Sequence, residues 1–198
     1  MKILSHSKIY LCGQIEQDID AAGWRIDLAN RLHLLNPTIK IWDPLIKPDW
    51  VPAGVASDNA FLHKKFILPD ASLDDKLTKG RLCFEANKDV RYICKMLASK
   101  CDILIARINK LFTWGSIDEL EIAIQRGIPI FLWLPDGLIS IYGIAGCIKH
   151  YQFVDEYVHY SLESMLNTLS EIDSGSNALP SADPETWLYL TWKDSSYA

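Results

Sequence analysis

A chain of 198 residues with 49% hydrophobic content is long enough to bury one core, so a single domain is expected. A net charge of −5 excludes nucleic acid as the main partner, because binding a phosphate backbone needs a basic surface. Five cysteines, odd in number and without a CxxC, point to a reducing, cytoplasmic compartment, and no apolar run has the length of a signal or membrane-spanning segment.

In chain order, Lys8-Ile-Tyr-Leu-Cys-Gly13 reads as the first strand. Gly13 ends it and, lacking a Cβ, would let a ligand approach the backbone; Gln14 follows. Asp18 to Leu35 predicts a helix, with Trp24, Leu28 and Leu32 at four-residue spacing and Asn36-Pro37 as its stop. Thr38 to Trp42 is the second strand, closed by Asp43-Pro44. From Leu45 to Gly80 the periodicity is lost, and Pro44, Pro48, Pro52 and Pro69 punctuate the stretch. A connection of that length is functional or poorly ordered, so a flap over a pocket and a variable surface insertion both stand as readings.

Arg81 to Lys100 predicts a helix with Val90, Cys94 and Leu97 on its apolar face and Asp89 in its first half. Asp102 to Ile108 is a strand rich in β-branched residues. Gly115-Ser116 supplies a turn and an N-cap for the helix bearing Leu120, Ala123 and Ile124, which Gly127 closes before the strand Ile128 to Trp133. Tyr151 to Val154 reads as a weaker fifth strand, and Ser161 to Ile172 as a helix. Asp173 to Asn177 has linker composition, and Glu185 to Trp192 is a strand-like tail. The expected organisation is an α/β domain over 1–172 with an insertion at 45–80, then a linker and tail over 173–198. Strands alternating with helices give a doubly wound parallel sheet of flavodoxin-like order 2-1-3-4-5, with its switch point between strands one and three.

Three features converge on the carboxyl edge of such a sheet: Gly13-Gln14, Asp89 and Glu119. Two carboxylates across a pocket suit acid–base or nucleophilic work on a glycosidic bond. A carboxylate near a helix N-terminus is favoured in its charged form, so Glu119 is expected to be ionised at neutral pH. Acidic residues are also common in first turns for stability alone, and Asp118 and Glu121 read as solvated residues of that kind. The five histidines are scattered without ligand spacing, and no GxGxxG, P-loop or GxSxG is present. Neither a metal nor a cofactor is expected.

Taken together, Lys8-Ile-Tyr-Leu-Cys-Gly-Gln-Ile15, Asn87-Lys-Asp89, Cys101-Asp-Ile-Leu-Ile-Ala106 and Gly115-Ser-Ile-Asp-Glu-Leu-Glu-Ile-Ala123 resemble the nucleoside 2-deoxyribosyltransferase family. The match runs in order over about residues 8 to 134, and Gly-Ile-Pro-Ile after the last segment also fits. The resemblance implies a flavodoxin-like fold and a glutamate that attacks C1′ of a deoxynucleoside, after which a second base takes the sugar. Carried over, Glu119 is the nucleophile, Asp89 handles the nucleobase and its proton, and Tyr10 orients the glutamate. Gly13, Gln14, Thr113, Gly115 and Ser116 fall where the substrate would lie. Neighbouring subunits complete each other's pockets in that family, which implies a homo-oligomer. Where an aspartate would contact the sugar this chain has Thr113, and the 45–80 connection is longer than in compact members. Close relatives hydrolyse nucleoside 5′-monophosphates, and Thr113, Ser116, Arg25 or Arg107 could meet a phosphate. Transfer is favoured over hydrolysis, and a non-catalytic nucleotide-binding module stands as the other class. The expected partners are a small-molecule nucleoside or nucleotide and a free nucleobase, with no nucleic acid and no membrane. A flavin protein is disfavoured, since strand one lacks a Ser/Thr-rich phosphate loop.

Overall fold

The computed structural model describes residues 2–14, 20–45, 91–109, 114–135, 137, 158–177 and 179. Five strands pair in parallel: β1 (Lys8–Gly13), β2 (Lys40–Trp42), β3 (Ile103–Arg107), β4 (Ile130–Trp133) and β5 (Val158–His159). Their order is β2-β1-β3-β4-β5. Four helices flank them: α1 (Gly23–Leu35), α2 (residues 91–98), α3 (Trp114–Gln125) and α4 (Leu162–Ser174). This is a flavodoxin-like α/β fold. The strands are continuous apolar runs because helices cover both faces: Ile9 to Cys12, Ile103 to Ala106 and Ile130 to Leu132 are all buried.

α1 and α4 pack against one another on one face. α2 and α3 share the other, tied by Asp118 of α3, which pairs with Arg91 and lies 3.9 Å from Lys95, both on α2. Asp118 is therefore an inter-helix tie rather than a merely solvated dipole partner.

Several boundaries differ from the sequence reading. Helix α1 begins at Gly23, after a turn over residues 20–22. A Cβ at Gly23 would meet Asp20 Oδ1 at 2.1 Å, so the Asp20 carboxylate lies across the helix start, over the glycine. Gly115 does not form a turn: α3 already runs through it, and a Cβ there would meet nothing within 4 Å. The strand that pairs with β4 is Val158–His159, whereas Tyr151 to Val154 lies outside the described residues. So do residues 46–80 of the expected insertion, Asp89, Thr113, and the tail from Glu185 to Trp192.

The largest departure is at Asp173, read as linker from its composition. Helix α4 starts on a Ser161 cap, whose side chain accepts from Ser164 N, and continues through Ser174 to a left-handed Gly175. That carries Asp173 into the interior, 2% exposed. Its Oδ1 accepts from Leu4 N at 3.0 Å and Asn36 Nδ2 at 3.1 Å, and its Oδ2 lies 3.3 Å from Lys2 Nζ. Helix α4 is thereby fastened to the segment before β1 and to the end of α1. Asp173→Ala leaves a buried N–H and a buried amide without acceptors, so urea unfolding should show a loss of roughly 2–4 kcal/mol. Glu171→Ala, two residues away and exposed, should change stability by less than about 0.5 kcal/mol.

Candidate active site

Side chains alternate across a strand, and the two faces of β1 can be assigned from contacts. A Cβ built at Gly13 would meet Arg107 O at 2.9 Å, Trp24 Cζ2 at 3.0 Å and Arg25 Nη2 at 3.6 Å, so Gly13 faces α1. The glycine is required by the chain's own packing, and the space is not left open for a ligand. Tyr10 and Cys12 face the opposite way, toward α3, where the Cys12 thiol donates to Ser116 O at 3.7 Å. Glu119, three residues beyond Ser116, is brought to the same place by one helical turn.

Glu119 is half-buried there. Burial pushes its pKa from 4.5 to about 7, with the nearby charge of Asp118 adding to the rise. The Cys12 thiol, the Tyr10 hydroxyl and the positive charge of Arg25 draw it back down. Desolvation therefore outweighs the helix dipole, contrary to the expectation of a fully ionised carboxylate. Glu119 is the sixth residue of α3, past the first turn in which the dipole acts strongly. Tyr10 and Cys12 are themselves held well above their ordinary values, first by burial and then by the Glu119 charge. Tyr10 Oη is buried and has no partner at hydrogen-bond distance, so it approaches the carboxylate without closing a bond. The arrangement is an acid poised near neutrality, with two weak donors turned toward it.

Arg25 is fully buried. Its Nη2 donates to Gly13 O at 2.8 Å, its Nη1 to Ala21 O at 2.5 Å and Gln14 O at 3.4 Å, and its Nε lies 3.4 Å from Asp43 Oδ1. Burial lowers the guanidinium's pKa and raises the Asp43 carboxyl despite their mutual attraction and the Leu45 N–H that donates to Asp43. With its donors committed to three carbonyls and a carboxylate, Arg25 is a structural clamp, not a phosphate ligand. Arg107 belongs to the α1 face: its guanidinium lies 5.6 Å from the Trp24 ring and 5.3 Å from the Trp133 ring.

Of the residues singled out from sequence, the structure gathers Tyr10, Gln14, Ser116 and Glu119 at the carboxyl edge. Gly13 lies at that edge but faces α1, and Gly115 is exposed at the start of α3. Cys12 was missed as a neighbour of the glutamate. Its two-residue spacing from Tyr10 on β1 was the available signal. Among the described residues no group of three or more His, Cys, Asp or Glu could hold a metal, and no helix is long and apolar enough to cross a membrane.

The chain is similar in structure to a 2-deoxyribosyltransferase. That enzyme comes from the psychrotolerant bacterium Bacillus psychrosaccharolyticus; it is 15% identical, with 68% of this chain and 77% of that one covered and a TM-score of 0.36. A conserved protein from Enterococcus faecalis V583 is 14% identical, with 85% and 89% covered and a TM-score of 0.38. No protein-family profile and no curated protein matches the sequence. At these identities and scores the roles of the site residues rest on their own geometry.

The raised Glu119 value has a defined effect on stability. Between pH of about 4.5 and about 7 the unfolded chain has released the proton that the folded chain keeps, so stability falls as pH rises through that window and levels off above it. Glu119→Gln should remove most of that fall and be more stable than the wild type at pH 8 by roughly 3 kcal/mol in urea titrations. Arg25→Met should behave oppositely at all these pH values. It strands a buried Asp43 and three carbonyls, and should cost roughly 3–5 kcal/mol.

Proposed function

We propose that this protein cleaves the N-glycosidic bond of a nucleoside or deoxynucleoside through a covalent intermediate on Glu119 and transfers the sugar to a second nucleobase. The single observation that carries the reading is the half-buried Glu119 carboxyl, set among Tyr10, Cys12 and the Arg25 charge at the carboxyl edge of a parallel sheet. A carboxylate freed of water is a better nucleophile, and open α/β sheets bind ligands at that edge. In the first displacement a Glu119 oxygen bonds to C1′ as the C1′–N bond breaks, and the departing base takes a proton from Asp89 in its acid form. In the second, a ring nitrogen of the incoming base attacks C1′, the ester C–O bond breaks, and the proton returns to Asp89. Two inversions give net retention.

Tyr10 acts as a positioning group in this scheme: its unpartnered hydroxyl can close on a Glu119 oxygen once substrate displaces the remaining water. Ser116, in the first turn of α3, is assigned to the sugar side, and the resemblance assigns Thr113 there as well. Hydrolysis would follow the same first step, with water in place of the second base. The reading also takes the protein to be a cytoplasmic homo-oligomer.

Three measurements test it together. Glu119→Gln should lower turnover by roughly 10⁴-fold or more, as losing a covalent nucleophile does, whereas losing one ground-state contact costs far less. A slow 2-fluoro-deoxynucleoside should leave a sugar adduct on the peptide containing Glu119, visible by mass spectrometry, and none on Glu119→Gln. The wild-type kcat/KM should rise with pH as Glu119 ionises near about 7 and fall again where Asp89 loses the proton it must donate. Residual activity in Glu119→Gln near the wild-type level, or an adduct on another peptide, sinks the assignment.

A further inference from the structure

The Cys12 thiol is wholly buried and donates to Ser116 O at 3.7 Å. That carbonyl does not depend on it. Ser116 lies inside α3, where each carbonyl is taken up by the N–H four residues on, so the thiol is a second, weak donor to an oxygen already engaged. Helix carbonyls point toward the helix C-terminus, which sets the sulfur level with the turn after Ser116, the turn that carries Glu119. Other groups reach the same carboxyl. Tyr10 comes from β1 with a hydroxyl that closes no bond, Arg25 acts from α1 through its charge, and Asp118 on α3 opposes ionisation. Behind them α2 presents Cys94 to Tyr10, and Arg91 and Lys95 to Asp118. Cys12 differs from these in holding a proton that is already bonded to α3 and can change acceptor there. Burial and the Glu119 charge hold the thiol well above its ordinary range, so it stays a neutral donor while Glu119 titrates.

We propose that Cys12 is a positioning residue for Glu119: its one proton stays on the Ser116 carbonyl while the carboxyl is uncharged and turns onto the carboxylate when it is charged. This deepens the function proposed above and rests on it for what the charge then does. A charged acceptor draws a donor more strongly than a peptide carbonyl that is already bonded. Rotation about the Cβ–Sγ bond moves the proton and leaves the sulfur in place. The donor therefore favours the free carboxylate over both the protonated acid and the sugar ester. In the first displacement the thiol bond to Glu119 is given up as the ester forms. In the second it is regained as the ester C–O bond breaks. Cys12 thus assists the departure of Glu119 from C1′ and opposes accumulation of the glycosyl-enzyme.

The test follows the ionisation of Glu119 and the S–H stretch of Cys12 in the wild type, Cys12→Ser, Cys12→Ala and Cys12→Val. Carboxyl NMR of protein labelled at its glutamates reports the first, with Glu119→Gln identifying the signal. The wild-type midpoint should lie near about 7. Cys12→Ala and Cys12→Val should raise it by about half to one pH unit, the size expected for one weak hydrogen bond to a charged group. Cys12→Ser, a stronger donor, should leave it at or below the wild-type value. A packing role predicts otherwise, since Ser and Ala are both smaller than Cys and would move the midpoint together. The infrared S–H band lost in Cys12→Ala should fall in frequency in the wild type as Glu119 ionises, and hold still in Glu119→Gln. With a deoxynucleoside, at a pH above all the midpoints, Cys12→Ala and Cys12→Val should keep the burst of released base and slow steady turnover by about three- to tenfold. A midpoint unmoved or lowered in these two variants, an S–H band indifferent to pH, or a slowed burst with turnover spared overturns the inference. Turnover with an unmoved midpoint rejects the inference and keeps the nucleophile; a raised midpoint, with no turnover by the wild type, keeps the thiol's hold on Glu119 and rejects the proposed reaction.

Discussion

The structure depends on a guanidinium buried where three elements end. Parallel strands leave their last carbonyls pointing beyond the sheet, and a buried carbonyl needs a donor. Arg25, reaching in from α1, supplies donors to Gly13 and Gln14 at the end of β1 and to Ala21 before its own helix, while Asp43 just past β2 balances its charge. Fully desolvated ions are tolerated only when paired and hydrogen-bonded in this way. The clamp fixes how α1 meets the carboxyl edge and holds Trp24 against the Cβ-less face of Gly13. It also gives the neighbouring glutamate a positive charge that favours its ionised form.

The two faces of the sheet carry different chemistry. On the α1 side an arginine lies between two indoles, Trp24 and Trp133, whose rings meet edge to face at 6.0 Å. That layer is large, flat and rigid, and packing explains it. On the α3 side the groups are small and titratable: a phenol, a thiol and a carboxyl, each shifted by the absence of water. His159, at the other margin of the sheet, shows the same physics without the same use. Burial lowers it to about 4, so it stays neutral, stacked on Phe131 and bonded through Nδ1 to Ser164 Oγ.

Where a property follows from neighbours in sequence, the sequence reading and the structure agree. The apolar runs at Lys8–Gly13 and Ile103–Arg107, and the four-residue spacing of Trp24, Leu28 and Leu32, are local patterns, and they yield strands and a helix close to where they were expected. The five-strand order follows in the same way from the alternation of elements. What escaped it depends on distant partners. Asp173 has linker neighbours, and its role appears only when Leu4 and Asn36, 169 and 137 residues away, come to meet it. Arg25 was read as a cation that could meet a phosphate, because nothing in its own helix announces the carbonyls that engage it. Gly115 looked like a turn because glycine often is one, while the glycine at a helix start that lies under a neighbouring carboxylate is Gly23, three residues after Asp20. The ionisation of Glu119 was misjudged for the same reason: the dipole is a property of its helix, whereas the desolvation comes from the strand opposite.

The Asp173 tie has a consequence for how the molecule can be handled. Leu4 precedes β1 and Asn36 precedes β2, so the carboxylate that joins them fastens α4 at the amino edge of the sheet. The segments over residues 2–4 and 173–177 therefore run side by side at the pole opposite the acid. A fluorophore or a fused reporter hung at this pole would stand clear of the carboxyl edge and leave ligand entry unobstructed.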